Sequence, residues 1–125
     1  MVTIGTDIIE VDRIKSAVEN IDFLNRIYTN NEIEYCKNTK QMQYQHYAVR
    51  FAAKEAIYKA LSGKLNGKYD ISWKDVEILN DNNGRPFVKF IKYPENIQNS
   101  LLSIDISLSH IKNMASATCV IEWRN

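Results

Sequence analysis

The sequence predicts an α+β domain in which one long central helix and several shorter helices pack against an antiparallel β-sheet. Three observations predict this fold class. Apolar residues follow helical spacing in the first half of the chain, residues 41–61 contain no proline or glycine, and apolar and polar residues alternate in the last third. The 125 residues, 45% of them hydrophobic, suffice for a single domain over residues 1–125 with its own core.

The first half of the chain predicts one strand followed by helices. Residues 2–8 are typical of a short buried strand, with Gly5 in its middle and Asp7 at its end. An amphipathic helix is expected from about Ile9, and a helical turn over residues 23–28. Residues 29–32 match the capping-box pattern that starts a further short helix. Residues 41–61, rich in good helix formers, predict the longest helix.

The second half predicts strands. Residues 75–80 and 87–91 flank a turn sequence and are expected to form a hairpin. Residues 93–96 are expected to interrupt the extended structure again. Apolar and polar residues then alternate over 104–109, as in a half-buried strand, and residues 115–123 are its predicted partner.

Charge and cysteine content exclude some function classes. A formal net charge of +1 lacks the basic excess typical of nucleic-acid binding. Cys36 and Cys119 lie far apart in the sequence without a Cys-x-x-Cys pair, which favours free thiols over a zinc site. No stretch is long and apolar enough to cross a membrane. We therefore expect a cytoplasmic protein with no nucleic-acid or membrane partner.

Two charged residues in the long helix stand out. Glu55 and Lys59 project among Ala48, Ala52 and Ala56, whose small side chains would let a backbone, a subunit or a ligand come close. One interpretation is an ordinary surface ion pair between residues four apart. The other is that Glu55 binds a hard cation such as Mg²⁺ while Lys59 contacts a phosphate.

A second carboxylate is needed for the metal interpretation, and Asp7 is the candidate because it lies at the end of the first predicted strand. The alternative role for Asp7 is a helix N-cap or a turn residue. His110 could donate a hydrogen bond to a phosphate. Its alternative role is that of a turn or surface residue.

Three segments resemble the motifs of one enzyme family in the family's order. They are Gly5-Thr6-Asp7 followed by Arg13, then Phe51-Ala52-Ala53-Lys54-Glu55-Ala56-Ile57-Tyr58-Lys59-Ala60, then Ile106-Ser107-Leu108-Ser109-His110. The chain resembles the holo-acyl-carrier-protein synthases over nearly its whole length. The resemblance implies the 4′-phosphopantetheinyl transferase fold.

The resemblance also implies an activity and its catalytic residues. Asp7 and Glu55 would bind Mg²⁺ together with the pyrophosphate of coenzyme A, the substrate, and Lys59 would contact a phosphate. The 4′-phosphopantetheine group would pass to a serine of apo acyl carrier protein in fatty acid biosynthesis, releasing 3′,5′-ADP. Asp7, Glu55 and Lys59 are thus the expected catalytic residues.

Binding residues and assembly follow from the same resemblance. The coenzyme A site would be completed by Arg50, Lys59, Gly84, Arg85, Pro86, Ser109 and His110. Arg13 and Arg26 would bind the acidic carrier, and the family's active sites lie between the subunits of a homotrimer. Two departures from the family pattern are Asp22, which stands where a basic residue is common, and the longer loop 62–67.

Three alternatives to this function remain open at the level of sequence. A transferase acting on peptide or polyketide carriers would commonly be about twice as long. A non-catalytic coenzyme A binding module would have less need of Asp7, Glu55 and Lys59 together. An unrelated α+β domain would not explain three family-like segments in order.

Overall fold

The described residues of the computed structural model, 1–65 and 71–125, alternate between helical and extended segments as the sequence predicts. The elements in chain order are β1 (Val2–Glu10), α1 (Val11–Val18), α2 (Ile21–Ile27), α3 (Asn30–Asn38), α4 (Gln43–Leu61), β2 (Val76–Asn80), β3 (Pro86–Phe90), α5 (Glu95–Ser100), β4 (Leu101–His110) and β5 (Met114–Trp123). Short 3₁₀ turns lie at Lys40–Met42, Ser62–Lys64 and Trp73–Asp75. The predicted α+β class is confirmed.

The strands form two antiparallel sheets. In the larger sheet, β5 lies in the centre and pairs with β1 on one side and β4 on the other. The predicted pairing of β4 with β5 is confirmed. The predicted hairpin forms a separate sheet of β2 and β3, because its strands pair only with each other among the described residues.

Helix α4 packs against one face of the larger sheet through its alanines. Ala48, Ala52 and Ala56 are fully buried there. Strand β1 comes so close that a Cβ atom on Gly5 would overlap the carbonyl oxygen of Ala56 and lie 2.9 Å from the Ala60 nitrogen. The small-residue face of the helix therefore accommodates the backbone of the chain's own first strand.

Several boundaries differ from the sequence-based expectation. Strand β1 continues to Glu10, so Asp7 lies within the strand and not at its end. The following helix begins at Val11 with Glu10 as its N-cap, which excludes an N-cap role for Asp7. The capping box at Thr29 and Glu32 is confirmed at the start of α3. Helix α5 follows Pro94 directly, where an interruption of the extended structure without a helix was expected.

The core joins α4 to the sheet and to the shorter helices as one cluster. Cys36 and Cys119 are free and buried in it, as predicted. Loop 62–67 is described only as far as Leu65, so that departure lies partly outside the described residues. None of the helices in the described residues is long and apolar enough to span a bilayer.

Candidate active site

Asp7 and Lys59 meet where β1 crosses α4. Side chains alternate along a strand, so Thr3, Gly5 and Asp7 all face the helix. Thr3 Oγ1 donates to the Ala60 carbonyl at 2.8 Å, which fixes the strand beside the last turns of α4. Lys59 Nζ then donates to the Thr6 carbonyl at 2.9 Å and contacts Asp7 Oδ1 at 3.2 Å. The close approach that Gly5 permits thus brings these two predicted residues together.

Glu55 lies one helical turn before Lys59 and completes this group. Burial raises the pKa of the Glu55 carboxyl, the nearby Asp7 carboxylate raises it further, and Lys59 partly offsets both. Asp7 therefore lies near enough to the Glu55 carboxyl to disfavour its ionisation. The side chain of Lys59 remains half exposed, whereas Asp7 is 19% exposed. The cluster therefore opens toward solvent on its lysine side.

The donor chemistry of this group fits Mg²⁺. The ion accepts one or two protein carboxylates and takes its other oxygens from water and phosphates. No group of three or more histidine, cysteine, aspartate or glutamate side chains forms a metal cluster among the described residues. A site of Asp7 and Glu55 would therefore depend on substrate oxygens to fill the coordination sphere.

Arg50 lies in a second polar group on α4. It is 2% exposed, its guanidinium stacks 4.3 Å from the centre of the Tyr35 ring, and Nη2 donates to Asn80 Oδ1. Asn80 in turn donates from Nδ2 to the Gly84 carbonyl at 3.0 Å. Arg50 Nε has no hydrogen-bond partner among the described residues. Arg50 and the predicted Gly84 turn are thus joined through Asn80.

His46 connects this second group to His110. The two imidazole rings lie edge to face with centres 5.7 Å apart, and the His46 ring lies 5.4 Å from that of Tyr35. Burial, with smaller contributions from the charges of Arg50 and His110, lowers the pKa of His46 to about 4. His46 is therefore neutral at physiological pH, next to two groups that can carry positive charge.

The two polar groups lie on different sides of α4. Glu55 lies five positions after Arg50, which corresponds to a rotation of about 140° and a rise of about 7.5 Å. Arg85, predicted with Arg50, instead pairs with Asp105 at 2.8 Å on the surface. Ser109 is exposed beside His110 on β4. Within one chain, the predicted coenzyme A residues are thus not all gathered around Asp7 and Glu55.

The predicted carrier-binding residues lie on the first helices. Arg13 on α1 and Arg26 on α2 are both exposed, and Arg26 lies 5.9 Å from the centre of the Phe23 ring. Asp22 is exposed on the same helix as Arg26. The charge of this surface is therefore mixed.

Sequence reasoning missed Asn80 and Tyr35, and it missed the buried ion pair of Lys54 with Glu32, whose charged atoms lie 2.8 Å apart. Asn80 and Tyr35 carry no local signal, because their contacts with Arg50 join distant segments. Lys54 did carry one: it falls on an apolar side of α4 together with Ile57 and Leu61. A charge placed there by helical spacing indicates a buried, paired group.

The family model that matches the chain is described as 4′-phosphopantetheinyl transferase superfamily and covers residues 3–119. The chain belongs to this superfamily. Its curated relatives include the holo-[acyl-carrier-protein] synthase of Ruminiclostridium cellulolyticum, 46% identical over 122 residues, with 94% of this chain and 90% of that protein covered.

Solved structures of this transferase superfamily match the fold over nearly the whole chain. The holo-(acyl-carrier-protein) synthase of Bacillus anthracis, in complex with CoA (3′,5′-ADP), has a TM-score of 0.77, 36% identity and coverage of 95% of this chain and 94% of that chain. The Helicobacter pylori synthase in complex with coenzyme A has a TM-score of 0.79, 30% identity and coverage of 95% and 99%.

Proposed function

We propose that this chain is a holo-acyl-carrier-protein synthase, which transfers 4′-phosphopantetheine from coenzyme A to a serine of apo acyl carrier protein in fatty acid biosynthesis. The observation that carries the proposal is the convergence of Asp7, Glu55 and Lys59 where β1 crosses α4. Family membership and relatives of that name at similar length support the same reaction. We further propose that residues 1–125 act as one domain, which the single core cluster supports.

The chemistry assigns a role to each of the three residues. The carrier serine attacks the β-phosphorus of coenzyme A in line, the bond to the bridging oxygen breaks, 3′,5′-ADP leaves, and the hydroxyl proton of the serine is released to solvent. Asp7 and Glu55 would hold Mg²⁺, which when bound supplies charge neutralisation at the pyrophosphate. Lys59 has three ammonium protons, of which Thr6 and Asp7 take two, so one remains for a phosphate of the leaving group.

The second polar group supplies the proposed adenosine and phosphate contacts. Arg50 Nε is buried without a partner among the described residues, and such a donor suits an anionic ligand. Its link through Asn80 to Gly84 connects the guanidinium with the turn before Pro86. Arg85, Ser109 and His110 are proposed to complete the site.

Two observations support the proposed homotrimer with sites between subunits. The two polar groups lie on different sides of α4, so residues of a neighbouring chain are proposed to bring both kinds of group into one site. The sheet face opposite α4 also exposes Val2, Ile4, Ile8 and Val120, which are 58%, 65%, 66% and 40% accessible. An exposed apolar face of this kind suits burial in an assembly. The free buried cysteines suit the reducing cytosol that we propose as its location.

The test incubates apo carrier, coenzyme A and Mg²⁺ with the protein and measures the mass of the carrier. One added phosphopantetheine group is expected with wild type and with Glu34→Gln, an exposed control on α3, but not with Asp7→Asn or Glu55→Gln. Coenzyme A binding without any mass gain would indicate a binding module. Transfer to a peptide-synthase carrier alone would indicate the other carrier class.

A further inference from the structure

Lys59 is the only basic residue that pairs with either candidate metal ligand within residues 1–65 and 71–125. Its Nζ contacts Asp7 Oδ1 at 3.2 Å and donates to the Thr6 carbonyl at 2.9 Å. Burial and the charge of Asp7 raise the pKa of Glu55, whereas the charge of Lys59 lowers it. One ammonium therefore partly neutralises both carboxylates.

The contact of Lys59 with Asp7 stands in the way of a metal ion on the same carboxylate. Oδ1 of Asp7 already accepts from the ammonium. Binding through the second oxygen would still bring two cations together, and like charges a few Å apart repel even in water. A divalent ion on Asp7 therefore has to displace the ammonium.

Of the two partners in this contact, Lys59 is the one that can move. Asp7 is held in β1, where it pairs with Ala117 of β5 two residues after Gly5 packs against α4. The side chain of Lys59 is 51% exposed and ends a flexible four-carbon stem. The Thr6 carbonyl can keep one ammonium proton while the proton at Asp7 becomes available to another acceptor. Displacement therefore frees a donor without disturbing the strand.

We propose that Lys59 competes with a divalent cation for Asp7, and that the ammonium displaced by the cation binds the pyrophosphate of coenzyme A. The inference rests on the proposed function, since it takes metal and pyrophosphate to bind at this cluster. The contact with Asp7 thus keeps metal affinity low until a substrate takes over the ammonium. Because such coupling is reciprocal, coenzyme A should tighten metal binding by the same factor as the metal tightens coenzyme A binding.

The first test measures metal binding without substrate. Mn²⁺, which takes the same oxygen ligands as Mg²⁺, is titrated into the protein, and the paramagnetic resonance signal of the free ion gives its affinity. Lys59→Met should bind Mn²⁺ about tenfold more tightly than wild type, because a competing charge is gone. Lys59→Arg keeps the charge and should bind it no more tightly than wild type. Glu55→Gln, which loses a proposed ligand, should abolish this binding.

The second test measures coenzyme A binding by calorimetry with Mn²⁺ present. Lys59→Met should weaken it about tenfold, so that one substitution moves the two affinities in opposite directions. Lys37→Met, which removes an exposed lysine on α3, should change neither affinity. In protein labelled with nitrogen-15 lysine, the Nζ resonance that is missing from Lys59→Met should shift when Mg²⁺ is added and shift again with coenzyme A.

These measurements keep the inference apart from the proposed function. A Lys59→Met protein that binds Mn²⁺ no more tightly than wild type, or an Nζ resonance that ignores Mg²⁺, overturns the competition even if wild type transfers the group to the carrier. Tighter Mn²⁺ binding and weaker coenzyme A binding in Lys59→Met support the competition. If wild type then transfers nothing, only the transferase activity is contradicted.

Discussion

At the scale of one residue, the charge of Glu55 destabilises the fold but serves the proposed function. Its pKa is raised by burial and by Asp7, so ionising it in the folded chain is unfavourable. Below the ordinary pKa of 4.5, Glu55 is protonated in both the folded and the unfolded chain, so it does not lower the stability of the fold. Above the raised pKa of the folded state, the full loss of stability is present. At neutral pH, Glu55 therefore destabilises the metal-free protein.

Glu55→Gln should accordingly raise the melting temperature at pH 7 without metal while reducing turnover about 100-fold, because a charge at the reacting phosphate is lost. Mg²⁺ should raise the melting temperature of wild type but not of the variant, since binding to the folded state stabilises it. Calorimetry and carrier mass measure the two effects, with Glu34→Gln as control. An equal response of variant and wild type to Mg²⁺ would contradict the assignment of Glu55 as a ligand.

The lowered pKa of His46 predicts that part of the stability of the fold is lost in acid. The groups around it are Arg50 from α4, His110 from β4, Tyr35 from α3 and Thr39, whose hydroxyl lies 3.1 Å from Nδ1. Because the folded pKa is lowered to about 4, the neutral ring stabilises the fold above pH 6.5, and this stability is lost as the pH falls toward 4.

Urea unfolding at pH 7 and pH 5 should therefore show a smaller loss of stability in His46→Gln than in wild type. After allowance for screening by solvent, we expect a difference of about 1 kcal/mol. His110→Gln is the matched variant of the neighbouring ring. Parallel losses in wild type and His46→Gln would contradict this contribution.

The contact between β1 and α4 is decisive at the scale of elements. Gly5 faces the carbonyl of Ala56, and a methyl group there would force the strand away from the helix. Asp7 lies on the same face two residues later, so any such displacement also separates it from Glu55 and Lys59. The fold and the candidate site therefore both depend on the absence of a side chain at Gly5.

Gly5→Ala should lower the free energy of unfolding by about 3 kcal/mol through overpacking. It should also reduce turnover in the remaining folded protein. Gly63→Ala is the control, since a Cβ there meets nothing within 4 Å among residues 1–65 and 71–125. Denaturant unfolding and the carrier assay measure both variants. A Gly5→Ala protein as stable as Gly63→Ala would show that strand and helix separate freely.

Local sequence signals predicted most of the helices and strands, whereas they could not predict the pairing of strands that lie far apart in the sequence. The capping box at Thr29 and the unbroken helix α4 were found because their determinants lie within a few residues. The central place of β5 depends on pairing with β1, including Asp7 with Ala117, near opposite ends of the chain. Helix α5 was missed because Pro94 signals both a break and a helix start.

The residues of the candidate site differ in the same way: some were predictable from local sequence, and others depend on long-range contacts. Motif resemblance identified Asp7, Glu55 and Lys59, and Asp7 and Lys59 do meet. The association of Arg50 with Asn80 joins α4 to β2 and could not be read from spacing. For Lys54, helical spacing placed the charge on an apolar side but could not name Glu32 as its partner.

At the scale of the whole molecule, the exposed face of the larger sheet predicts assembly. Ile8 is 66% accessible on that face, whereas Ile91, 53% accessible, follows β3 of the separate two-stranded sheet. If the proposed trimer forms through this face, Ile8→Lys should yield single chains and abolish transfer, whereas Ile91→Lys should change neither. Analytical ultracentrifugation and the carrier assay provide the measurements.

Mixing two inactive variants tests the composition of the site. If each site takes its acidic group and its arginine from different chains, unfolding and refolding Glu55→Gln together with Arg50→Met should restore part of the activity. Neither variant refolded alone should recover. A mixture that stays inactive despite forming mixed trimers would place both groups in one chain.

The placement of β5 between its two neighbours also limits when the protein can become active. During synthesis on a ribosome, the strand bearing Asp7 is made first, but in the described structure it has no strand to pair with until residues 114–123 have emerged. A nascent chain that stops short of them would leave the part of the long helix that packs on β5 uncovered. Phosphoryl transfer thus becomes possible only once translation has reached that last strand.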